Sequence, residues 1–126
     1  MSTLAGLAPV VGATNGTGTE ASFNSPLGIA ADLSGTLYVA DQNNNLVRII
    51  DSNGVVSALS ATGGSFNKPN GIAVDQSGVI YVSDSEGGKI QMVSTSGGIS
   101  TLAQGDAFLL PKGLATDASG MVYVAN

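Results

Sequence analysis

The chain has 126 residues, 4 Lys plus Arg against 9 Asp plus Glu, a formal net charge of −5, and no His, Cys or Trp. Lacking His and Cys, it has none of the usual zinc, copper or haem ligands, neither Ser-His-Asp nor Cys-His catalytic machinery, and no disulfide. Four scattered cations exclude an extended phosphate-binding surface. No apolar run reaches the ~18–20 residues of a membrane helix, so neither a nucleic acid nor a membrane is expected as partner.

Disorder is equally excluded, because disordered chains are charge-rich and apolar-poor, whereas this one is 43% hydrophobic and 10% charged. Three segments superimpose without a gap: FNSPLGIAADLSGTLYVAD (23–41), FNKPNGIAVDQSGVIYVSD (66–84) and FLLPKGLATDASGMVYVAN (108–126). Phe23, Phe66 and Phe108 align, as do Pro26, Pro69 and Pro111, then Gly28, Gly71 and Gly113, then Asp32, Asp75 and Asp117, then Tyr38, Tyr81 and Tyr123. The steps are 43 and 42 residues, a period that marks a propeller, solenoid or array.

In chain order, Met1-Ser2-Thr3-Leu4 aligns with Ile99-Ser100-Thr101-Leu102 and is expected to be an outermost strand. An inserted Gly/Thr-rich loop follows around residues 9–21: Leu4 to Phe23 spans 19 residues, whereas Leu59 to Phe66 spans 7. Each repeat then predicts a short apolar strand from Gly28, an Asp-x-Ser-Gly hairpin turn at Asp32–Gly35 and its equivalents, and a β-branched and aromatic strand at Leu37–Ala40. A third strand is expected at Leu46–Ile50 and Lys89–Val93, and a fourth at Val55–Leu59 and Ile99–Ala103. No useful helical periodicity is present. Four strands per period joined by tight turns make one propeller blade. The fold class is therefore all-β, in antiparallel four-stranded blades. The divisions are 1–22 (outer strand and inserted loop), 23–65, 66–107 and a partial repeat at 108–126.

The pattern F-N-x-P-x-G-I-A-x-D-x-S-G-x-[LI]-Y-V-[AS]-D resembles the NHL repeat, in its bacterial form. Asn44-Asn45-Leu46-Val47-Arg48-Ile49-Ile50 and Gly54-Val55-Val56-Ser57-Ala58-Leu59 continue it, and Thr3-Leu4-Ala5-Gly6 and Gly16-Thr17-Gly18 fit that form. The resemblance implies a six-bladed propeller that presents loops to partners. It also implies an Asp at the end of the second strand paired with an Arg on the third, which Asp41 and Arg48 match. In the second repeat Gln91 faces Asp84, so the pair is expected to be lost, and in the third Asn126 replaces the Asp. Relatives of this architecture include lyases and hydrolases whose sites use His and metal.

Three blades do not close a ring where propellers hold 4–8, and an open arc leaves an unpaired strand edge. A homodimer is the expectation, 3 + 3 blades, with a seam of Met1, Ser2, Thr3 and Leu4 against Met121, Val122, Tyr123 and Val124 of the second copy. By strand count each seam blade stays one strand short.

Each chemical motif has a plain structural alternative. The Asp-x-Ser-Gly turns are expected to cap backbone rather than bind calcium, since each offers one carboxylate where calcium takes six to eight oxygens. Asp84-Ser85-Glu86 reads as an acidic loop before a general acid/base pair. The tyrosines and phenylalanines are expected to pack between blades. The polar loop Gln42, Asn43, Asn44, Asn45 is the candidate partner-binding surface, and Asn15-Gly16-Thr17 matches the glycosylation pattern. The expected function is a non-enzymatic scaffold that self-assembles and binds partners through its loops, with no cofactor and no metal. The alternatives are an engineered or excised half-propeller made to study propeller assembly, and a fragment of a propeller lyase or hydrolase. The residues do not fix a compartment: the resemblance to bacterial NHL repeats implies an extracellular or periplasmic parent, while the opening residues lack the basic start of a signal peptide.

Overall fold

A computed structural model describes residues 2–105 and 110–126. Its strands are β1 (Gly16–Thr17), β2 (Pro26–Ala31), β3 (Leu37–Asp41), β4 (Leu46–Ile50), β5 (Val55–Ala58), β6 (Pro69–Val74), β7 (Ile80–Asp84), β8 (Lys89–Val93), β9 (Ile99–Gln104), β10 (Leu114–Thr116) and β11 (Val122–Val124). They form three antiparallel sheets, ordered β1-β5-β4-β3-β2, β6-β7-β8-β9 and β10-β11. These are the blades, here called first, middle and last.

The hairpin turns explain why the strands break where they do. Asp32 Oδ1 accepts from the Ser34 N–H at 2.9 Å and the Thr36 N–H at 3.0 Å. Asp75 does the same for Ser77 and Val79, and Asp117 for Ser119 and Met121. Gly35, Gly78 and Gly120 take φ of 88°, 88° and 86°, a region that costs glycine least. The turns thus cap backbone, as expected.

At the other end of β2 and β6 the register shifts between Pro26 and Ile29 and between Pro69 and Ile72. Proline has no N–H to give the ladder, so it sits at the first position of each strand.

The start of the chain departs from expectation. Residues 2–7 take no strand conformation, and Gly16–Thr17 supplies the extra strand of the first blade by pairing with Val55 and Val56. The inserted loop gives enough slack for this. Gly6 N–H donates to the Gly18 carbonyl at 3.1 Å, and Ala5 packs on the first blade's own apolar cluster. The opening segment therefore lies over the blade it precedes.

Apolar packing sits between blades and on the outward face of the first. Val47 of the first blade joins Phe66, Ile72, Ile80, Val82 and Val93 of the middle one, with Ala30, Tyr38 and Leu59 against them. A second cluster holds Ala21, Val39, Ile50 and Val56, flanked by Phe23 and Leu37. Phe66 is thus an inter-blade wedge as expected, while Phe108 lies outside the described residues.

Candidate functional site

Two features of the sequence point to function: the loops at one rim and the open faces of the outer blades. Strand direction places the loops Gln42–Asn45 and Ser85–Gly88 on the rim opposite the Asp-x-Ser-Gly turns.

The loop rim is built on Asp41 and Arg48. Their side chains are fully buried and meet at 2.9 Å. Arg48 also donates to the carbonyls of Ser22 (2.8 Å) and Thr14 (3.0 Å) and to Asn15 Oδ1 (2.9 Å). Its guanidinium carbon lies 4.9 Å from the centre of the Phe23 ring. The other oxygen of Asp41 accepts from Asn24 N–H at 2.7 Å. The expected pair is present, and the inserted loop folds around it. Asn15, singled out as a glycosylation acceptor, spends its side-chain oxygen on Arg48.

In the middle blade the expected loss of the pair needs correction. Gln91 Nε2 donates to Asp84 Oδ2 at 2.6 Å and to the Ser65 carbonyl at 2.8 Å. Asp84 Oδ1 accepts from Asn67 N–H at 3.0 Å. The charge is gone, but an amide donates the two equivalent hydrogen bonds because the loop it must hold is short. Asp84 is buried and Glu86 exposed, so the two do not form an exposed carboxylate pair. Among the described residues no three carboxylates cluster as a metal site.

The candidate binding loop is ordered by its own amides. Gln42–Asn44 form a 3-10 turn that ends on Asn45 at φ 56°, ψ 37°. Asn44 Nδ2 bonds the Gly12 carbonyl and Asp41, both at 2.7 Å. Asn43 Nδ2 donates to Ser25 Oγ at 2.9 Å, and its oxygen accepts from Lys68 Nζ at 2.9 Å. Asn45 Oδ1 accepts from Lys68 N–H at 2.9 Å. What remains open is a groove of about 370 Å³ across all three blades, lined by Gln42, Asn43, Lys68, Asn70, Ser85, Glu86, Leu110 and Lys112. Sequence reasoning missed the two lysines. The signal was their position beside the aligned prolines: Lys68 precedes Pro69 and Lys112 follows Pro111.

Each tyrosine has a partner the sequence reading did not name. Tyr38, Tyr81 and Tyr123 donate from their hydroxyls to Asp32, Asp75 and Asp117 at 3.2, 3.0 and 2.9 Å. The Ser119 hydroxyl and Met121 N–H, with Tyr123 adding to them, hold the Asp117 carboxyl down at about 2. Asp32 is lowered chiefly by the Ser34 hydroxyl. Burial, reinforced by the neighbouring aspartates, raises Tyr38 and Tyr81.

The expected seam residues divide. Met1 lies outside the described residues. Ser2, Thr3 and Leu4 are exposed, and Thr3 and Leu4 border a cleft of about 410 Å³ on the first blade with Leu27, Ile29 and Leu37. On the last blade Met121 and Tyr123 are exposed while Val122 and Val124 are half-buried. The two groups therefore mark opposite open ends of the arc.

Blades stacked side by side around a common axis define a segment of a β-propeller. Residues 23–50 and 66–91 match the family model described as the NHL repeat. The chain therefore has the fold of a β-propeller segment, with two stretches that match the NHL repeat. No curated protein sequence matches it.

Solved structures resemble it in fold. Virginiamycin B lyase from Staphylococcus aureus aligns with TM-score 0.67 at 16% identity, covering 79% of this chain and 34% of that one. A gluconolactonase from Xanthomonas campestris aligns with TM-score 0.66 at 20% identity, covering 81% and 35%. The nidogen/laminin complex aligns with TM-score 0.68 at 21% identity, covering 79% and 38%. The chain spans about a third of the length of these structures.

These likenesses correct one expectation. The lack of His and Cys led to the reading that the chain is not an enzyme, yet the architecture is shared with a lyase and a gluconolactonase. Composition rules out His- and Cys-based sites in these residues and does not rule out the enzymatic class.

Proposed function

We propose that this chain is a self-assembling propeller segment, closed by a second copy into a 3 + 3 ring, which receives a partner on its loop rim. The observation that carries this reading is the contrast between the middle blade and its neighbours. Ile72 of the middle blade is 5% exposed, and its equivalent Ile29 on the first blade is 62% exposed. Tyr81 is 7% exposed, and its equivalent Tyr123 on the last blade is 55% exposed. The same side chains are core when flanked and surface when not. Apolar area gains roughly 25 cal/mol per Å² on leaving water, so the open faces favour a covering blade.

The groove along Asn43, Lys68, Glu86 and Lys112 spans three blades and supports the loop rim as the partner surface, because loops on a rigid scaffold hold their polar groups in place. Light scattering on the purified chain across the micromolar range tests the assembly. The expected mass is that of a dimer, and a monomer mass at every concentration refutes it.

A further inference from the structure

We infer that Gly113 and the Leu27 carbonyl are the two unfilled halves of a third blade-to-blade joint, and that a second copy of this chain fills both. The inference rests on the assembly reading above and says which atoms make the contact.

Two complete joints lie within the chain. A Cβ on Gly28 would strike the Asn70 carbonyl oxygen and lie 3.2 Å from Gly71 Cα. A Cβ on Gly71 would strike the Lys112 carbonyl oxygen and lie 3.0 Å from Gly113 Cα. In both, the glycine of one blade receives the carbonyl of the residue that precedes the glycine of the next. Any side chain there would drive the blades apart, which is why the Pro-x-Gly entry is built with glycine in every repeat.

The series continues at both ends. A Cβ on Gly113 would meet only the chain's own Ala125 Cβ, at 3.5 Å, an ordinary contact. Its φ lies outside the left-handed range, so neither turn geometry nor strain explains a glycine at this position within the described residues. At the other end Leu27 occupies the place of Asn70 and Lys112 and is 55% exposed. The glycine side of the joint is open on the last blade and the carbonyl side on the first, which is the complementarity a head-to-tail contact needs to close a ring. In a two-fold ring the contact occurs twice. Tyr123 then packs on the partner's Ile29 and Leu37, as Tyr38 packs on the cluster containing Ile72 and Ile80.

The middle joint also shows how to strengthen the new one. Ser83 Oγ donates to the Lys112 carbonyl at 2.6 Å and accepts from Gly71 N–H at 2.6 Å. The equivalent positions on the first and last blades are Ala40 and Ala125.

Sedimentation velocity on the wild-type chain, Gly113→Ala and Ala125→Ser tests the joint, with circular dichroism confirming that each variant is folded. The expected result is a wild-type dimer, a Gly113→Ala dissociation constant raised about tenfold or more, and an Ala125→Ser constant lowered about twentyfold, the scale of one added hydrogen bond in each of two joints. A folded Gly113→Ala that dimerises as tightly as wild type overturns the joint and leaves assembly standing. A monomeric wild type with a dimeric Ala125→Ser supports the joint and overturns self-assembly of the natural sequence. Monomers throughout overturn both.

Discussion

Arg48 and Gln91 occupy the same place on successive blades, and the length of the loop beneath each sets what the side chain must do. Arg48 holds Asp41 and three acceptors from residues 14–22, whereas Gln91 holds Asp84 and Ser65 alone. Arg48→Gln is therefore expected to keep the bonds to Asp41 and Ser22 and to lose those to Thr14 and Asn15. The expected cost is about 1–2 kcal/mol by urea denaturation, with faster amide exchange confined to the inserted loop. Arg48→Ala leaves Asp41 buried without a cation and is expected to cost about 3–5 kcal/mol. If both variants cost the same, the ion pair rather than the loop contacts sets stability here.

The tyrosine–aspartate bonds make a second test at this scale, with opposite signs at the two ends of the pH range. Asp32 and Asp117 titrate below the ordinary carboxylate value, Asp117 at about 2. Their contribution is complete above the unfolded value of ~3.9 and is lost as pH falls toward the folded one. Tyr38 and Tyr81 are raised, so their contribution is complete below ~10 and is lost as pH rises through the folded values. Carbon-detected NMR titration of Asp117 and ultraviolet titration of the tyrosines should show these directions. An Asp117 midpoint near 4 would contradict the turn geometry. Tyr81→Phe removes the hydrogen bond to Asp75 and is expected to cost about 1 kcal/mol by urea denaturation.

At the scale of the element, the first strand of each blade carries two duties that conflict for any residue but glycine. Its proline opens the strand and its glycine lets the next blade's backbone approach. Gly28→Ala is expected to separate the first and middle blades and to cost at least about 2 kcal/mol, in the range for overpacked interiors. Chemical denaturation should show the loss, and a neutral outcome would mean that the two blades slide past one another freely. Asn45 makes a useful contrast. It closes the loop turn at φ 56°, which asparagine tolerates. Asn45→Gly should be mild in backbone terms and should cost chiefly the bond to Lys68 N–H.

The whole molecule segregates charge in a way the net value of −5 conceals. Asp32, Asp51, Asp75 and Asp117 stand at the hairpin turns on one rim, each accepting backbone N–H groups. Lys68, Lys89 and Lys112 belong to the loop rim, where two of them border the groove. The turn rim is therefore acidic, whereas on the loop rim Lys68 and Lys112 share the groove with Glu86. Assembly has its own signature at this scale. If a second copy closes the ring, the melting temperature rises with protein concentration, because association stabilises the folded state by mass action. A concentration-independent transition across two decades contradicts closure.

The blades are legible in the order of residues alone. The register of Phe, Pro, Gly, Asp and Tyr and the Asp-x-Ser-Gly turns were legible because a repeat displays each local requirement more than once, while the Asp41–Arg48 pair, present in one repeat, was implied by the resemblance to the NHL pattern. Turn chemistry and strand alternation act over a few residues, so they survive in one dimension. Other features depend on contacts between residues far apart in the chain. The tertiary structure placed residues 2–7 over the first blade instead of in a strand, recruited Gly16–Thr17 as the edge strand, and gave Gln91 the bonds assigned to an arginine. It also showed that the isoleucine position is core in the middle blade and surface in the first, and that the tyrosine position is core in the middle blade and surface in the last. The physical reason is that burial and close backbone approach depend on what stands beside a blade, and a repeat that is identical in sequence is not identical in its neighbours.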